Sequence, residues 1–164
     1  MKKVAIIMGS DSDLPVCRTV ADKLAELGVP FTARVLSAHR TPDEVREFAV
    51  SARENGYGVF IAMAGMSAAL PGSIAAATTL PVVGIPVKSS FEGLDALLAV
   101  AQMPPGVPVA AVAVNGAVNA AILAAQILAV EDAELSAKLA RAKEDMRKKV
   151  LEKDAAVQNE FAGR

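Results

Sequence analysis

Tryptophan is absent from this chain, and tyrosine, histidine and cysteine occur once each. Aromatics make up only 4% of residues, so no loop is rich enough in rings to stack a flavin. The single Cys17 excludes an internal disulfide framework and offers no metal-ligand spacing; inside a predicted helix it reads as a small buried apolar side chain. Charge of one sign is also missing. Seventeen basic against eighteen acidic residues leave a formal net charge of −1, which excludes a broad attraction for nucleic acid or anionic lipid and favours a small ligand. The longest apolar helix, "AVNAAILAAQILAV" at 117–130, is too short to span a bilayer. "MKKVAIIMGSDSD" begins like a secretion signal but runs into an acidic loop, so it reads as the first strand of a cytoplasmic protein.

What the chain does have is apolar mass in a regular rhythm. Its 164 residues suit one domain over 1–164, and 53% apolar against 21% charged leaves some surplus for subunit contacts. Strand-like runs occur at 3–8, 31–37, 58–64, 81–87 and 108–114, with helical stretches at 14–27, 42–54, 67–78 and 92–101 between them. Strict alternation of this kind implies an α/β fold, a parallel sheet covered on both faces by right-handed crossovers. With strand order 2-1-3-4-5, the loops after the first three strands would share one crevice at their carboxyl ends. Thr41, Pro42 and Glu44 form an expected N-cap, first-turn proline and capping-box acid.

The final helix, about 132–154, carries Leu135, Leu139, Met146 and Val150 on one stripe, opposite expected pairs of Glu144 with Lys148 and Asp145 with Lys149. Together with the all-apolar helix before it, that stripe is expected to pack on a neighbouring subunit.

Three loops carry chemistry. In "MGSDSD" (8–13), Gly9 allows a sharp turn, the following amides and helix dipole favour an anion, Ser10 and Ser12 donate to phosphate, and Asp13 accepts from sugar hydroxyls or caps the helix. "SAHRT" (37–41) holds the lone His39, whose ordinary pKa of about 6.5 suits proton exchange near neutrality, beside the anion-binding fork of Arg40. "AGMSAALPG" (64–72) presents small residues and amides to which a flat ligand can come close.

These loops, with "QMPPGVPVAAVAV" and "NAAILAAQIL", resemble the N5-carboxyaminoimidazole ribonucleotide mutase family of purine biosynthesis in order and spacing from residue 3 to about 130. The resemblance implies a flavodoxin-like three-layer sandwich with an extended C-terminal helix, assembled as a homo-octamer. It implies transfer of a carboxylate from N5 to C4 of an aminoimidazole ribonucleotide with no metal, ATP or organic cofactor, on substrate supplied by an ATP-dependent synthetase. Carried onto matching positions, His39 is the acid/base. Ser10, Asp13 and Arg40 bind substrate with Ser12 and Ser37 near the phosphate, and Ala64, Gly65, Met66, Ser67, Ala69 and Leu70 form the third wall. The chain departs from the common mutase pattern at Met66, Ala69 and Pro105, where glycine, histidine and arginine are usual. Two alternatives stay open: a carbon dioxide-dependent aminoimidazole ribonucleotide carboxylase, and a flavodoxin-like ligand-binding or receiver module.

Overall fold

The computed structural model describes residues 1–163. Five parallel strands, β1 (Lys3–Met8), β2 (Phe31–Val35), β3 (Tyr57–Ala64), β4 (Val82–Pro86) and β5 (Ala110–Ala111), form one sheet in the order β2-β1-β3-β4-β5. Helices α1 (Leu14–Leu27), α2 (Pro42–Ser51), α3 (Leu70–Ala75), α4 (Leu94–Ala101) and α5 (Ala117–Ala129) cover its two faces. Helix α6 (Ala133–Phe161) closes the chain. The expected doubly covered α/β sandwich is what forms.

Side-chain alternation along the strands divides the interior into two cores. Val4, Ile6 and Met8 of β1 point to one face, where they meet Val59, Ile61 and Met63 of β3 and the buried sides of α1 and α5. Ala5 and Ile7 point to the other, where Phe60, Ala62 and residues of α2, α3 and α4 enclose them. Each large side chain such as Ile6 or Phe60, fully removed from water, contributes roughly 1.5–3 kcal/mol. The β1–β3 register pairs Met8 with Met63, so both strands end at one level and release their loops side by side.

Edge and interior strands differ from the uniform apolar runs expected. Every residue of β3 is buried, whereas β2 is intermediate to exposed along its length and stops at Val35. β5 shrinks from the expected seven residues, 108–114, to Ala110–Ala111, both exposed. Pro104, Pro105 and Pro108 precede it; proline donates no ladder hydrogen bond and suits an edge. Helix α2 also begins differently. Pro42 occupies the first turn, but Thr41 makes no side-chain cap, because its hydroxyl accepts from the Ser37 amide at 2.8 Å and donates to the Ser37 carbonyl at 3.2 Å.

Helix α5 is covered largely by its own chain: it packs on α1, β3, β4 and the start of α6, burying Ala120, Ala121, Ala124 and Ala125. Its apolar outer side therefore needs a neighbour less than its sequence indicated. Helix α6 is 29 residues long, longer than expected, and docks through Leu135 and in part Leu139. Beyond that point Met146, Val150, Leu151 and Val157 are exposed. Glu144 pairs with Arg147 at 3.1 Å instead of with Lys148.

Candidate functional site

Because β1, β2 and β3 are neighbours ending at one level, the loops that leave them converge. The first loop leaves β1 at Gly9 and makes a short 3-10 turn over Asp11–Asp13 before α1 begins. Ser10 caps that turn, its hydroxyl accepting from the Ser12 amide at 3.3 Å. Gly9 has no left-handed backbone, and a Cβ there would meet only ordinary contacts at 3.8–3.9 Å. The expected sharp glycine turn is therefore not what positions the loop. Asp13 makes no helix cap; it is the only buried polar or charged side chain among the described residues, and burial raises its pKa against the opposing pull of backbone hydrogen bonds from Ser10 and Gly9.

The second loop is tied down within itself and to the first. The Thr41–Ser37 bonds close the turn, and the Leu36 amide donates to the Met8 carbonyl at 2.9 Å. Arg40 reaches across: Nη2 donates to the Gly9 carbonyl at 3.2 Å, while its backbone N and Nε donate to Ser37 Oγ at 3.2 and 3.4 Å. Ser37 is an acceptor in both contacts, which leaves its O–H able to donate. His39, at the crest of the turn, is exposed and has no hydrogen bond to another group among the described residues, so both ring nitrogens are available to a ligand.

The third loop supplies a wall without charge. Ala64 ends β3, Met66 is 69% exposed, and Ser67 takes a left-handed backbone with φ 47°, uncommon for a residue with a side chain. A Cβ on Gly65 would lie 3.2 Å from Ser89 Oγ, so this glycine lets a fourth loop, the one after β4, close against the third.

One open cavity of 630 Å³ receives all four loops. Its lining contains Ser10, Ser12, Asp13, Ser37, His39, Arg40, Ala64, Gly65, Met66, Ser67, Ala69 and Leu70, so every site residue expected from the sequence meets in one place. Val87, Lys88 and Ser89 also line it and were missed. The signal was available, since they directly follow an apolar strand, but only pairing of β4 with β3 brings that loop to the crevice. Among the described residues no cluster of histidine, cysteine and carboxylate side chains could hold a metal. No helix among them is long and apolar enough to cross a membrane.

The AIR carboxylase family model matches residues 3–149. N5-carboxyaminoimidazole ribonucleotide mutase of Thermotoga maritima is 53% identical over 154 residues, 93% of this chain and 90% of that protein. The chloroplastic phosphoribosylaminoimidazole carboxylase of Vigna aconitifolia is 50% identical over 149 residues, 90% of this chain but 27% of that much longer protein. Among solved structures, the crystal structure of Treponema denticola PurE superposes with a TM-score of 0.85 at 30% identity, covering 94% of this chain and 98% of the other. A family model over residues 3–149, with sequence and fold matching over nearly the whole length, makes this chain a member of the AIR carboxylase family.

Proposed function

We propose that the chain is a mutase that converts N5-carboxyaminoimidazole ribonucleotide to 4-carboxy-5-aminoimidazole ribonucleotide on the route to IMP, with His39 as its acid/base. One observation carries the reading: the lone imidazole lines the same cleft as Ser10, Asp13 and Arg40, in a chain half identical to proteins named for that reaction.

The nucleotide lies with its phosphate toward Ser10, Ser12, Ser37 and Arg40, its ribose hydroxyls toward the Asp13 carboxylate, and its flat base along Ala64–Leu70. Imidazolium His39 protonates N5 as the N5–carbon bond breaks; the bonding electrons stay on nitrogen and carbon dioxide is released into the cleft. The now neutral imidazole waits beside C4. The electron-rich ring attacks carbon dioxide through C4, which then bears both carboxylate and hydrogen, and His39 removes that hydrogen as a proton while the electrons of the C–H bond restore the aromatic ring. The proton lent in the first step returns in the last. A positioned acid/base of this kind contributes about 10² to 10⁴ in rate. The uncharged third loop confines the gas and limits water around it.

The second reading, a carbon dioxide-dependent carboxylase, draws on Met66 and Ala69 in the cleft, on Pro105, and on the name of the Vigna relative. Purified protein assayed with each donor separates the two. Turnover of the N5-carboxylated nucleotide without added bicarbonate is expected; no turnover of that nucleotide, with aminoimidazole ribonucleotide carboxylated from carbon dioxide, overturns the first reading.

The homo-octamer, the cytoplasmic setting and the link to the ATP-dependent synthetase belong to the same proposal. Assembly is supported by exposed Leu94 and Leu98 on α4 and by Met146 and Val150 of the α6 stripe, which stay exposed beyond the docked Leu135 and Leu139.

A further inference from the structure

Beside His39, whose proton the reaction uses, the described lining of the cleft holds two fixed cations, Arg40 and Lys88, and they stand on opposite sides of it. Arg40 follows β2 and Lys88 follows β4, with β1 and β3 between them. Three strand spacings separate their backbones, about 14 Å. A substrate with one anionic group needs one of these cations. A substrate with a phosphate and a carboxylate needs both, and the wall between them offers no charge: Ala64, Gly65, Met66, Ser67, Ala69 and Leu70.

Resting on the reading above, we propose that Lys88 receives the carboxylate that the reaction moves, and that Glu92 competes for the same ammonium group. The loop is built to hold this lysine. Its backbone amide donates to Asn115 Oδ1 at 3.0 Å, and Asn115, left-handed at φ 55°, is held in turn by its own backbone N–H, which donates to the Pro86 carbonyl at 2.8 Å. Ser89, the next residue, lies against Gly65. Lys88 and Glu92 form an ion pair outside any helix. Between the two charges, Phe91 and Glu92 itself take left-handed backbones, φ 49° and 56°, which are uncommon for residues with side chains.

The competition has a chemical use. Decarboxylation converts a carboxylate to neutral carbon dioxide, so a cation gripping the carboxylate firmly stabilises the ground state more than the transition state. Glu92 weakens that grip and takes Lys88 back as the charge disappears. The same ammonium is then available to the new carboxylate at C4, on the ring atom adjacent to the one that carries N5.

Calorimetric titration with two nucleotides tests the assignment. Aminoimidazole ribonucleotide has only the phosphate; 4-carboxy-5-aminoimidazole ribonucleotide has both anions. Lys88→Met is expected to weaken the carboxylated nucleotide by about fivefold, the upper range for a half-exposed ion pair, and to leave the other essentially unchanged. Glu92→Gln is expected to tighten only the carboxylated one. In turnover, Lys88→Met raises KM with kcat nearly unchanged, and Lys88→Arg restores most of the loss. If Lys88→Met weakens both nucleotides equally, or neither, the assignment falls while the functional reading stands. Wild-type protein that binds neither nucleotide overturns both.

Discussion

At the scale of single residues, the cleft holds one imidazole and one buried carboxylate, and their environments set different tests. His39 is exposed and makes no hydrogen bond among the described residues, so its replacement costs little stability. His39→Asn should retain the thermal melting profile and nucleotide affinity while kcat falls by about 10² to 10⁴, measured by single-turnover assay. Asp13 is the opposite case. Burial raises its pKa above the unfolded value, so its charged form opposes folding: stability is greatest below the unfolded pKa and declines as pH rises through the folded one. Asp13→Asn should therefore melt higher than wild type at pH 7, with the gap closing as pH falls through the carboxylate range, and it should bind nucleotide more weakly. Both residues were legible in the sequence by chemical type and position. Lys88 was not, because lysine after a strand is ordinarily a solvated charge and nothing local marks it as part of a crevice.

At the scale of elements, short loops work because the strands beneath them are tightly packed. Gly84 in β4 shows the tolerance: a Cβ there would collide with Val100 Cγ1 and lie 2.9 Å from Val109 Cγ1. Gly84→Ala is expected to destabilise by about 1–3 kcal/mol, seen as a melting temperature lower by several degrees. The α2 start shows where local sequence misleads. Thr41, Pro42 and Glu44 have the spacing of a capping box, yet Thr41 bonds back to Ser37 and stiffens the turn that presents His39. Both uses satisfy the hydroxyl, and only the tertiary position of Ser37 decides between them. β5 was overestimated for a related reason: its apolar run fits a strand, but the prolines before it and its place at the sheet edge leave two paired residues.

At the scale of the whole molecule, Met146, Val150, Leu151 and Val157 leave an exposed apolar surface on the distal part of α6. A helix of 29 residues extends about 44 Å, and stabilisation of helices in proteins comes mostly from packing an apolar face. Under the proposed octameric assembly, Val150→Glu combined with Met146→Glu should reduce the mass found by analytical ultracentrifugation while leaving far-ultraviolet circular dichroism almost unaltered; an unchanged mass would remove α6 from the proposed subunit contact. The sequence by itself determined the alternation of strands and helices, the parallel sheet and the residue types of the three loops that line the cleft, the single imidazole among them, because periodicity and side-chain type are local properties. Tertiary structure alone decided that the loop after β4 joins the other three, that Arg40 spans from one loop to the next, and that Asp13 is buried instead of capping α1. Each of those depends on which strands lie side by side, and that is fixed by packing between residues far apart in the chain.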